Sequence, residues 1–224
     1  MAPVLSKDPN DDWRHWLRQD RFKIYSSREF MEGPERVRNA VGAYVILLRD
    51  AVGLLERVGL PETKQIACWT LGDHQHVYTG VSAAIRSRVL LHVCGTIHDS
   101  AVRETLLSLQ FSHQILWPDL DVAISKWEER LTDWLVDNSY VAFRIDDRPS
   151  KIESQLIDRL PSPFNTEGNE RSPFLPLLDE KRAQFRAFVK ATGHKRPAQY
   201  LTPSQRLVGA AETHWAGWQS RHST

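Results

Sequence analysis

Seven consecutive residues, Gly42-Ala43-Tyr44-Val45-Ile46-Leu47-Leu48, run without a charged or amide side chain. The run is short, apolar and rich in residues that favour extended backbone, so it reads as a buried strand that anchors a sheet. Strand patterns recur at Gln65–Trp69 and His76–Tyr78, joined by the Gly72-Asp73 turn, and at Tyr140–Ile145. Helical spacing surrounds them. Asp11 or Asp12 caps a helix carrying Trp13, Trp16 and Leu17, and a second, over 27–39, is broken by Gly33 and Pro34. A helix at 50–58 is closed by Gly59 and Pro61. Ser82 caps a helix with Ile85, Val89 and His92 or Val93 on one face, which Gly95 stops. Helices follow at 99–110 and 119–136, the latter with Val122, Trp127, Leu131, Trp134 and Leu135 inward. Ser150 then caps a helix with Ile152, Leu156, Ile157 and Leu160 inward, ended by Pro161 and Pro163. No repeat appears, so the expected class is α+β with helical additions at both ends.

Of 224 residues, 41 % are hydrophobic and 25 % charged, a globular profile that excludes disordered, collagenous and coiled-coil chains. No apolar run approaches the roughly 20 residues that span a bilayer. The opening MAPVLSKDPNDDW lacks a basic and an apolar leader region. The expectation is a cytoplasmic protein with no membrane partner, its two cysteines, Cys68 and Cys94, buried as free thiols. His92, Cys94 and His98 resemble part of a zinc site, but no fourth ligand follows at an informative distance.

The net charge of +1 conceals segregation. Residues 111–165 carry 6 Lys+Arg against 10 Asp+Glu, whereas 166–224 carry 9 against 5. Arg182, Arg186 and Lys190 recur four apart, with Phe185, Phe188 and Val189 set against them, which predicts an amphipathic helix with a basic stripe. Such a stripe is either an ordinary solvated face or a phosphate-binding one.

Four pieces of this layout combine: Gly42-x-Tyr44 on one strand, Tyr78-Thr79-Gly80 ending another, Arg88 and His92 at 8 and 12 positions after Gly80, and Glu153 with Asn165 on a later helix and its exit loop. In order and spacing they resemble the GIY-YIG nuclease family over residues 42–165. That resemblance implies a small antiparallel three-stranded sheet flanked by helices, which here would be a catalytic domain at 41–166 between a helical extension at 1–40 and a basic helical one at 167–224. Ala43 and Thr79 stand where the family has isoleucines, and no basic residue follows Gly80 in Val81-Ser82. The insertions at 45–77 and 95–150 bear on substrate geometry and leave the catalytic set whole.

The chemistry agrees with those residue types. One carboxylate, Glu153, suffices for Mg²⁺ or Mn²⁺ when water and phosphate complete the shell. Arg88 can grip non-bridging phosphate oxygens with paired donors. Tyr44 or Tyr78 would orient or deprotonate the water, with Tyr44 favoured and its phenol lowered by the metal and Arg88; His92 would accept that proton or bind phosphate. Gly42, Gly80 and Asn165 would serve structure, Asn165 by holding the exit loop to the sheet. DNA is the expected partner, with phosphate contacts from Arg86, Arg171, Arg182, Arg186, Lys190, Lys195 and Arg196, and a homodimer would suit cutting two strands. Taken singly, each residue has a plain reading as a core tyrosine, surface arginine, solvated acid or turn asparagine. A non-catalytic nucleic-acid-binding module on the same scaffold is the rival reading, and a helical interaction protein with Trp-rich ends is a third.

Overall fold

The computed structural model describes residues 21–59, 70–71, 74–117, 123–159, 162–166, 169, 172, 174–194 and 203–222. The helix expected over 11–20, the strand at Gln65–Trp69 and its Gly72-Asp73 turn lie outside them. The described strands are β1 (Lys23–Ser26), β2 (Gly42–Arg49), β3 (Thr70–Leu71), β4 (His74–Ser82) and β5 (Ser139–Ile145). The described helices are α1 (Ser27–Glu32), α2 (Ala51–Arg57), α3 (Ile85–Cys94), α4 (Ala101–His113), α5 (Ile124–Asn138), α6 (Pro149–Arg159), α7 (Leu175–Ala191) and α8 (Pro203–His222), with a 3₁₀ turn at Pro34–Arg36.

One antiparallel sheet has the order β1-β5-β2-β4-β3. The three-stranded expectation is therefore too small. Its centre, β5-β2-β4, carries a further full strand on one side and a two-residue one on the other. β1 also shows that the N-terminal extension is not purely helical. Four residues are too few to display a period, and what holds β1 is the open edge of β5 together with the stacked rings of Tyr25 and Phe143, 5.7 Å apart.

Both faces of β2 are buried, as its sequence requires. Tyr44, Ile46 and Leu48 enter the larger core with α1 to α5, α7 and α8, while Ala43, Val45 and Leu47 meet Ile152 and Leu156 of α6 on the other face. Against β2, β4 carries a bulge: Ile46 pairs with Tyr78 but Leu47 pairs with His76, leaving Val77 as the extra residue. That slip reverses the alternation. Tyr78 and Gly80 share the face of Tyr44, whereas His76 turns with Thr79 to the face of α6.

On that second face His76 Nε2 bonds Thr79 Oγ1 at 2.8 Å and Ser162 Oγ at 3.0 Å. Burial pushes the imidazole down to about 4, from an ordinary value near 6.5. Between those values the unfolded chain binds a proton that the folded chain refuses. Stability is therefore full above about pH 6.5 and falls by about 3 kcal/mol as pH drops through 4. Urea unfolding at about pH 7.5 and about pH 4.5 should show this loss, and His76→Gln should reduce it, leaving the share of buried His92; equal slopes in the two proteins would sink the assignment.

The helix starts follow local rules with one substitution. Ser26 and Glu29 form a reciprocal cap for α1. Ser82, expected to cap α3, remains in β4 and accepts only the Ala84 amide at 3.0 Å. The orphan donors of α3 are met from a distant segment instead, by Ala40 O for Ile85 N (3.0 Å) and Asn39 Oδ1 for Ser87 N (3.3 Å). At the chain's end, Trp218 is buried and Trp215 donates to Met31 O at 2.8 Å, so α8 is bound to the core. No described helix is long and apolar enough to cross a membrane.

Candidate active site

Two strands and one helix build the site. β2 supplies Tyr44, β4 supplies Tyr78 and Gly80, and α3 supplies Arg88 and His92 one turn apart on its sheet-facing side. The Tyr44 hydroxyl lies 2.7 Å from His92 Nε2. Ring centroids separate Tyr44 from Tyr78 by 6.1 Å and each tyrosine from His92 by 5.2 Å. Arg88 Nη1 donates to Asp99 O at 3.0 Å, and His92 Nδ1 faces Ser100 Oγ at 2.7 Å.

Gly80 makes the cluster sterically feasible. A Cβ there would stand 2.5 Å from the Tyr44 hydroxyl oxygen and 2.7 Å from its Cζ, closer than any real contact. Gly42 likewise leaves room for Arg144 O of the neighbouring strand, 2.3 Å from an ideal Cβ. Gly80→Ala should displace the phenol by the better part of an ångström and lower activity on the order of a hundredfold. Unchanged activity in a folded Gly80→Ala protein would show that Tyr44 needs no fixed position.

Electrostatically the site differs from expectation in one respect. Tyr44 is 1 % exposed, and burial, reinforced by Tyr78, raises its phenol; Arg88 opposes this without reversing it. Of the lowering expected from the metal and Arg88, the Arg88 part is present and is outweighed by burial. His92 is also 1 % exposed and held well below its ordinary range by burial and by the Arg88 and Arg103 cations, so it is neutral and too deep to touch a substrate phosphate. For half-buried Arg88, burial works against the charge, but the two phenols raise the guanidinium overall.

Glu153 is carried by a helix that packs on the other face of the sheet. It is half-buried on α6, the helix that borders β4 and packs Ile152 and Leu156 against the opposite face of the sheet. Asn165 joins its exit loop to the strand of the second tyrosine: Oδ1 accepts the Thr79 amide at 2.8 Å and Nδ2 donates to Thr79 O at 2.7 Å. Among the described residues no group of three or more His, Cys, Asp or Glu could hold a metal, the His92, Cys94 and His98 set included.

The basic stripe does not form. Arg182 is 4 % exposed and joins Leu178, Phe185 and Val189 on the buried side of α7. Its Nε donates to Thr105 Oγ1 at 3.0 Å and its Nη2 to Phe164 O at 2.9 Å. Steps of four residues advance by about 40° on a helix, so a row through 182, 186 and 190 drifts from the core flank to solvent. Arg186 pairs with Glu104, Nη2 to Oε2 at 2.9 Å, and Arg86 with Glu212 at 3.5 Å. Lys190 is exposed. Arg171, Lys195 and Arg196 lie outside the described residues.

Sequence reasoning missed the turn at 99–100, which touches both Arg88 and His92. A serine before an apolar helical run signals a cap, and Ser100 does accept the Arg103 amide at 3.1 Å. Nothing in that signal points to His92. Comparison with curated proteins and with solved structures finds no match. Comparison with protein families matches residues 42–184 to the GIY-YIG catalytic domain. With well over half of the chain matched, and both tyrosines, the arginine and the histidine of the cluster inside the matched range, the protein belongs to the GIY-YIG family.

Proposed function

We propose that the protein is a divalent-metal-dependent endonuclease that hydrolyses DNA phosphodiester bonds. A GIY-YIG catalytic domain implies a nuclease, and the observation that carries the proposal is the convergence of Tyr44, Tyr78, Arg88 and His92 on one face of the sheet. Phosphodiester hydrolysis needs a placed water and a cation for the charge that gathers on phosphorus oxygens. Arg88 meets the second need, with a planar fork anchored at Asp99 O. Tyr78, half-buried where Tyr44 is enclosed, is the phenol placed to orient the water, and Tyr44 fixes the cluster from behind.

Glu153, on the helix that borders β4, is the carboxylate that would hold Mg²⁺ or Mn²⁺, because such an ion keeps most of its waters and takes its remaining ligands from phosphate. When bound, the ion supplies Lewis-acid polarisation of the phosphate and charge stabilisation at the departing oxygen. Lys190, with Arg171, Lys195 and Arg196, would add phosphate contacts, giving DNA affinity that falls steeply with salt.

Incubation of supercoiled plasmid and of single-stranded DNA with the full chain tests this directly. Nicked or linear product should form with Mg²⁺ or Mn²⁺ and disappear with EDTA. DNA binding without any cleavage in either metal would replace the proposal with a binding module on the same scaffold.

A further inference from the structure

Ser100 stands behind His92 with a hydrogen-bond count that admits one arrangement. Its hydroxyl oxygen is 3 % exposed as a residue and already accepts the Arg103 amide at 3.1 Å. Among the described residues the hydroxyl proton has one acceptor within reach, His92 Nδ1 at 2.7 Å. A buried hydroxyl that keeps its proton unpaired is costly, so the proton is donated to Nδ1. In a neutral imidazole the other nitrogen then carries the hydrogen.

We infer that Ser100 is a positioning residue that holds His92 as the Nε2–H tautomer, so that His92 donates a hydrogen bond to the Tyr44 oxygen instead of taking the Tyr44 proton. On this inference His92 does not take the proton-acceptor role that is one of its two expected roles. Neutral imidazole is favoured independently by the burial of His92 and by the Arg88 and Arg103 cations that face it. With its oxygen engaged by Nε2–H at 2.7 Å, Tyr44 has its own hydroxyl proton directed away from His92, toward the side of Tyr78. The same turn fixes both helix residues of the cluster, since Asp99 offers its carbonyl to Arg88 while Ser100 engages His92. Thr96 Oγ1 clamps the turn through Asp99 Oδ2 at 2.6 Å, and Glu128 Oε1 holds it through the Ile97 amide at 2.8 Å.

Long-range ¹H–¹⁵N correlation on the full chain labelled at histidine nitrogen reads the tautomer without any need for activity. Wild type should show His92 with a protonated Nε2 and a bare Nδ1, and Ser100→Thr should preserve that pattern. Ser100→Ala should release the ring to the opposite tautomer or a mixture. The consequence for cleavage rests on the proposed function: Ser100→Ala should lower kcat about tenfold with KM for DNA unchanged, and Ser100→Thr should restore it. A wild-type His92 protonated at Nδ1 would overturn the inference, as would an unchanged tautomer in folded Ser100→Ala. If wild type cuts no DNA, the functional proposal fails while the nitrogen shifts still decide the tautomer.

Discussion

Arg88→Ala is expected to cut kcat by about a thousandfold or more, and Glu153→Ala to abolish cleavage at Mg²⁺ concentrations that saturate wild type. Arg88 is the cation bonded to both phenols of the cluster, and its fork geometry is what a transition state with charge on two equatorial oxygens requires. Arg88→Lys should recover little, because an ammonium presents a point charge where two parallel donors are needed. Neither loss should come from unfolding. Arg88 is half-buried and its partners, Asp99 O and the two phenols, sit on elements held by the core without it, and Glu153 is half-buried on a helix held by Ile152 and Leu156. Circular dichroism and thermal melting close to wild type would establish that. Cleavage within tenfold of wild type by folded Arg88→Ala would remove the clamp role, and retained cleavage by Glu153→Ala would remove the carboxylate from the metal.

Arg182→Ala should act on stability and leave the salt dependence of DNA binding unchanged. The guanidinium crosses from α7 to two separate segments, Thr105 of α4 and the carbonyl of Phe164 in the exit loop. Its removal opens a cavity beside Phe185 and strands the Phe164 carbonyl, a loss of about 3 kcal/mol by urea unfolding. Arg182→Met, which keeps volume and loses the donors, should recover part of it. The exit loop is also tied to Thr79 by Asn165, so loosening Phe164 should reduce cleavage in step with stability. If instead stability held and the slope of DNA affinity against salt fell by about one phosphate contact, Arg182 would belong to an outward basic face after all.

Local patterns in the chain were sufficient for the elements that carry the site. The unbroken run at 42–48 specifies β2, and the spacing from Gly80 to Arg88 and His92 is legible because one helix turn separates the two side chains whatever else the chain does. Other features had no local signature. The bulge at Val77 sets which face His76 takes, and it exists only because β4 must register against β2. Arg182 reads as part of a basic row and becomes a buried tie, because Thr105 and Phe164 lie 77 and 18 positions away in the chain.

By itself, then, the chain's order of residues determined an α+β domain, a doubly buried strand and a set of phenols, guanidinium and imidazole at family spacing. The domain class and the strand follow from periodicity and from backbone preferences that act within a few residues, whereas the side-chain set is legible through the resemblance to the family. Tertiary structure alone decided that Tyr44 and His92 are enclosed, that Ser100 sits behind the imidazole and that Glu153 rides on the other layer of the sheet. Burial and hydrogen-bond partnership belong to pairs of distant segments, and no single segment contains them.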